Sequence, residues 1–132
     1  MATRRRVSPI EGRAALAQWA SGDRASDVTA TAVRFALEEL AAIAPGGSVE
    51  VRIPPHGAAQ CIEGAHHTRG TPPNVVETDP DTWLRLVLGD LNWDEATQSG
   101  RVSASGARAD LAPWLPLFAA TRDEQGEASP QP

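Results

Sequence analysis

The chain has 132 residues, a formal net charge of -5 and a pI near 5.1. That length suits one domain able to bury a core without metal or disulfides, and the acidic balance gives no electrostatic footprint for nucleic acid. Its one cysteine, Cys61, excludes an intramolecular disulfide and fits a reducing cytoplasm, and no apolar run approaches the roughly 20 residues that span a bilayer.

The N-terminus carries positive charge with no apolar segment behind it, so a secretory signal is not expected. Aromatic residues make up 5% of the chain, so the core has to come from Ala, Val, Leu and Ile, with four Trp as bulky fillers. Twelve Arg and no Lys, beside so much Ala, reflect the codon usage of a GC-rich genome rather than a function.

Residues 1–8, with the basic run Arg4-Arg5-Arg6, read as a disordered, solvated N-terminus. Pro9 to Ala20 is expected to be a helix with a weak apolar side (Ile10, Ala14, Ala17, Trp19), stopped by Ser21-Gly22. It is accessory to the single domain expected over 9–121. Ser26 or Asp27 can cap a second helix that runs to about Ala44, with Val33, Leu37, Leu40 and Ala44 at helical spacing. Pro45-Gly46-Gly47 ends it.

Ser48 to Ile53 alternates, with Val49, Val51 and Ile53 on one face, and predicts a half-buried strand. Pro54 to Gly57 turns the chain, and Ala58 to Glu63 returns as the second strand of a hairpin, with Ala58, Gln60 and Ile62 on one face and Gln60 pointing inward. The polar stretch Gly64 to Asn74 leaves room for a short third strand around His67 to Arg69 before Pro72-Pro73. Val75 to Thr78 begins the next strand, its paired valines suggesting burial on both faces.

Asp79-Pro80 is a helix start, with Asp79 as cap and Pro80 at the first helical position. Trp83, Leu84, Val87, Leu88 and Leu91 form the apolar side, and Gly89 closes it. Asn92 with Glu95 starts a short helix beside Trp93 in the manner of a capping box, ended by Gly100. Arg101 to Ser105 alternates as a strand, and Gly106 turns into a last helical segment that Pro113 and Pro116 must kink or divide. From Arg122 the Glu, Gln, Ser and Pro content reads as a disordered tail over 122–132. A strand hairpin followed by helical crossovers indicates an α+β domain with a mainly antiparallel sheet and helices on one face.

The runs TDPDTWLRLVLG (78–89), NWDEA (92–96) and GRVSASG (100–106) resemble the second half of the sterol carrier protein-2 (SCP-2) family. There a strand feeds a helix ending in Gly, then come a short helix, a strand ending in Gly and a final helix. Gly89, Ala96, Gly100 and Gly106 match that layout. The segment Pro54 to Asn74 (PPHGAAQCIEGAHHTRGTPPN) is similar to one in stand-alone bacterial relatives labelled sterol carrier family proteins.

The resemblance covers about Val28 to Phe118 and implies an SCP-2-like fold with a five-stranded sheet. It also implies a non-enzymatic module with an apolar tunnel between sheet and helices, carrying a sterol, fatty acid or acyl group. No cofactor, no nucleic-acid partner and no stable membrane insertion are expected. The residues that would line such a tunnel are Val51, Gln60, Val75, Trp83, Leu84, Val87, Leu88, Leu111, Leu115 and Phe118, the same ones that core packing would use. His67 and Arg69 would hold a carboxylate or phosphate head group. The chain departs from the family in its extra N-terminal helix and in its His- and Arg-rich loop.

Two alternatives stand beside this reading. One is an accessory interaction module with a filled core, and the other a small enzyme using His66 to Arg69. A metal site built from Cys61, Glu63, His66, His67 and His56 is not expected, because adjacent histidines in a strand point to opposite faces while zinc needs three or four converging ligands. Cys61 reads as a small buried residue. The pairs Asp79/Asp81 and Asp94/Glu95 sit at helix starts, where capping accounts for them better than acid–base chemistry.

Overall fold

The computed structural model describes residues 5–64 and 74–118. In chain order the elements are helix α1 (Pro9–Ala20), helix α2 (Ser26–Ile43), strands β1 (Val49–Ile53), β2 (Gly57–Cys61) and β3 (Asn74–Thr78), helix α3 (Pro80–Leu88), helix α4 (Trp93–Gln98), strand β4 (Val102–Ser105) and a 3₁₀ turn at Ala112–Trp114.

The sheet corrects two expectations. The described residues form four strands rather than five, and the sheet is mixed. Its order is β2-β1-β3-β4, with β1 antiparallel to β2, β3 antiparallel to β4, and β1 and β3 parallel from Val49↔Asn74 to Arg52↔Glu77. A parallel central pair follows because the chain leaves β2 at the Val49 end of β1 and enters β3 at that same end. The strand expected around His67 to Arg69 lies outside the described residues.

Alternation assigns the faces. Val49, Val51, Ile53, Cys61, Val76 and Val102 are buried against the helices. Val75 lies out of phase with Val76 and is half-buried on the opposite face, so β3 is not buried on both sides as its valines suggested. Gln60 likewise is exposed rather than inward. Asn74 fills an inward position at the start of β3 and is satisfied there: its Nδ2 donates to Ser48 O (2.7 Å) and its Oδ1 accepts from Arg108 N (2.9 Å).

Helix α2 supplies most of the helical layer, with Val33, Phe35, Ala36, Leu37, Leu40 and Ala41 all buried. Neither Ser26 nor Asp27 caps it; Ala25 occupies the cap position without a side-chain bond, and Asp27 lies in the first turn. Helix α1 packs along α2 and belongs to the core: Leu16 and Trp19 are fully buried, and the Arg24 guanidinium lies 3.7 Å from the centre of the Trp19 ring. The two helices meet at Gly12, where a Cβ would enter the ring of Phe35.

The starts and ends of α3 and α4 follow their local chemistry. Asp79 caps α3, its carboxylate accepting from Thr82 N (3.1 Å), and Gly89 closes it in the left-handed conformation (φ 88°). Asn92 caps α4, accepting from Glu95 N (2.8 Å). The last helical segment is reduced to the 3₁₀ turn, since proline at 113 and 116 cannot donate to a helical ladder. The following residues are tied to α3 instead, with Leu117 N (3.0 Å) and Phe118 N (2.9 Å) both donating to Val87 O.

The Asp79 cap gives a measurable expectation. Burial raises its pKa, but the hydrogen bonds from Thr82 and the charge of Arg101 outweigh that and hold the carboxyl below its usual value. Asp79→Ala should cost about 1 kcal/mol, toward the low end for a cap because the site is solvent-screened. Since the folded pKa is the lower one, this contribution is complete above the unfolded value of about 3.9 and is lost as pH falls through the folded value. Chemical denaturation of the two proteins should therefore show a gap at neutral pH that closes in strong acid. A gap that stays constant would mean the carboxylate does not cap the helix.

Candidate functional site

The residues expected to line a tunnel divide into three groups. Val51, Trp83, Leu84, Val87, Leu88, Leu111 and Phe118 come together as a closed apolar layer between the sheet and the helices, each no more than 4% exposed. Val75 and Leu115 are half-buried at its margins, and Gln60 is on the outer strand. His67 and Arg69 lie outside the described residues.

That layer is closed to solvent, and its seven closed members line none of the five best-formed grooves among the described residues. It contains one unexplained polar atom. Trp83 Nε1 is buried with no hydrogen-bond partner among the described residues. Thr82 Oγ1 lies beside the Asp79 carboxyl, the partner whose pKa it helps lower, although outside strict hydrogen-bond geometry. A buried donor without an acceptor costs about 1–3 kcal/mol, so Trp83 calls for a reason that packing alone does not give.

An open groove lies elsewhere, between α2 and β2, with a volume of about 490 Å³. Its α2 side is built by Arg34, Leu37, Glu38 and Ala41, whose spacing places them on one side of a helix. Its β2 side is Gly57 to Gln60, a run of small residues that leaves the space open; a Cβ on Gly57 would only touch Leu37 at 3.7 Å. Leu37, Ala41 and Ala59 form an apolar floor, and Arg6, Arg34 and His56 a polar rim.

The rim is held by the segment before α1. Glu38 accepts from the backbone N–H groups of Arg6 (3.0 Å) and Val7 (3.2 Å), and Arg5 pairs with Glu39 (2.8 Å). Arg34 donates through Nε to His56 O (3.0 Å), tying α2 to the β1–β2 turn. His56 has its pKa lowered, first by burial and then by the charge of Arg34, so its ring is neutral near pH 7. Among the described residues no carboxylate pairs with Arg34 or with the side chain of Arg6.

A second groove of about 400 Å³ runs along Leu86, Leu91, Trp93 and Leu115. Leu115 meets open space here, as Gln60 does in the first groove; they are the two expected lining residues that border these grooves. Cys61 is buried at the end of β2, and burial pushes its thiol up to about 12, far from the range of a nucleophilic cysteine. Among the described residues no three His, Cys, Asp or Glu side chains stand close enough to hold a metal ion, and no helix is long and apolar enough to cross a membrane.

Arg6, Arg34, His56, Leu37 and Ala41 were not singled out as site residues by sequence reasoning. The spacing of Arg34, Leu37, Glu38 and Ala41 was a visible signal of one helical side. Its nearness to His56 depends on how α2 crosses the hairpin, which no local pattern records. A family model described as bacterial SCP ortholog, SCP standing for sterol carrier protein, matches residues 14–117. No curated protein matches the chain.

Proposed function

This chain belongs to the family of bacterial sterol carrier protein orthologs, and from that premise we propose that it binds an apolar small molecule, of the fatty-acyl or sterol kind, as a carrier rather than a catalyst. The observation that carries the reading is the groove between α2 and β2. It sets apolar side chains beside a few polar groups, and its volume of about 490 Å³ is within the usual range for a small-molecule site. Binding there needs no motif, since each CH₂ removed from water contributes about 0.8 kcal/mol.

A second reading keeps the ligand in the layer around Trp83. The unpaired Nε1 favours it, because a ligand oxygen entering that layer would accept its hydrogen bond. Such a ligand would have to displace the residues that now fill the space. A filled core used as an interaction module is the remaining option, and the closure of that layer supports it.

Native mass spectrometry with added fatty acids and sterols tests the proposal. One bound apolar molecule per chain, surviving desalting and competed by a second ligand, is the expected result. An unliganded mass throughout, with no ligand-induced change in thermal midpoint, rejects a carrier role.

A further inference from the structure

Resting on the reading of the α2–β2 groove as a ligand site, we propose that its ligand is an anion: a single apolar chain ending in an oxyanion, held between Arg34 and Arg6. The two arginines of the groove outnumber its one carboxylate, Glu38. Neither guanidinium has a carboxylate partner among the described residues, and Arg34 spends only its Nε on His56 O. Glu38, the acidic residue of the groove, is already occupied by the backbone N–H groups of Arg6 and Val7.

Two arginines left at one rim are notable in a chain whose net charge is -5. A guanidinium offers its remaining N–H groups as a planar fork that fits carboxylate or phosphate oxygens. His56 adds a neutral ring at the same rim, its depressed pKa reporting first its partial burial and then the field of Arg34. Leu37, Ala41 and Ala59 add apolar surface to the same groove, so charge and apolar wall are offered together. An amphiphile matches that combination, and a neutral sterol or a bare inorganic anion uses only half of it.

The chemistry fits a fatty acid carboxylate or the phosphate of a short-chain phospholipid or acyl phosphate. Isothermal titration of the full chain with dodecanoate, dodecyl phosphate and dodecanol separates them. At least one anion is expected to bind about tenfold or more tighter than the alcohol, the size of a charge-assisted contact, and the better of the two names the head group.

Arg6→Gln and Arg34→Gln should each bring the anion close to the alcohol while leaving the alcohol unchanged. Arg6 is the cleaner position, because its side chain makes no hydrogen bond or ion pair among the described residues, whereas Arg34 holds His56 O. Dodecanol binding as tightly as both anions, or Arg6→Gln leaving the preference intact, overturns the anion assignment and leaves the carrier reading standing. Failure of all three ligands to bind overturns both.

Discussion

Gly12→Ala is expected to destabilise the protein by about 2 kcal/mol, although alanine is the better helix former by about 1 kcal/mol. The added Cβ would enter the ring of Phe35 at the closest approach of α1 and α2. That ring has nowhere to retreat. It is fully buried, stacks on Phe118 with centroids 5.5 Å apart, and has the Arg5 guanidinium 5.8 Å from its centre. Helix α1 must therefore lift, uncovering Leu16 and Trp19.

Thermal melts should show a midpoint lower by roughly 8 °C. Shrinking the obstacle with Phe35→Leu should recover part of the loss in the double variant, a coupling that two independent lesions would not show. A Gly12→Ala protein as stable as the parent would mean that α1 does not pack on α2 in this way.

Trp83 supplies the second large effect, and two substitutions give opposite answers. Trp83→Ala should cost about 3–5 kcal/mol, since it empties a fully buried site and its neighbours can collapse only in part. That is a large fraction of the 5–15 kcal/mol of a typical domain. Trp83→Phe keeps most of the volume and removes the unpaired N–H, whose burial is itself unfavourable. Its stability should stay within about 1 kcal/mol of the parent.

The Phe variant also separates the two ligand readings. If the ligand sits in the α2–β2 groove, Trp83→Phe leaves affinity unchanged. A tenfold loss, on a protein whose urea midpoint has not moved, would place the ligand against Nε1.

What the sequence made legible was chemistry between near neighbours. Asp79 with Pro80 and Gly89 marked both ends of α3, and Asn92 with Glu95 marked the start of α4, because capping involves residues three apart. The alternation of Val49, Val51 and Ile53 identified β1 and its inner face. The pairing of β1 with β3 was not legible, since nothing local in Val49 or Asn74 announces a parallel neighbour across 25 positions, and so the sheet was expected to be mainly antiparallel.

Short apolar runs were ambiguous for the same reason. Val75 and Val76 looked alike, and only the register decided which one faced the helices. The groove was hidden more deeply: Arg34 and His56 are separated by 22 residues, and Leu37 reads as core until the small residues of β2 leave part of its surroundings open.

The order β2-β1-β3-β4 leaves two outer rims without a strand partner among the described residues. Gly57 to Cys61 and Val102 to Ser105 contain no charge and no proline, the two devices that most often stop sheets from zipping together. Different rims joining from copy to copy would build an open-ended row rather than a closed dimer. Brevity is one guard among the described residues, since five residues on one rim and four on the other allow few hydrogen bonds per junction. Lengthening either strand is therefore expected to push this acidic chain toward edge-to-edge assembly at high concentration.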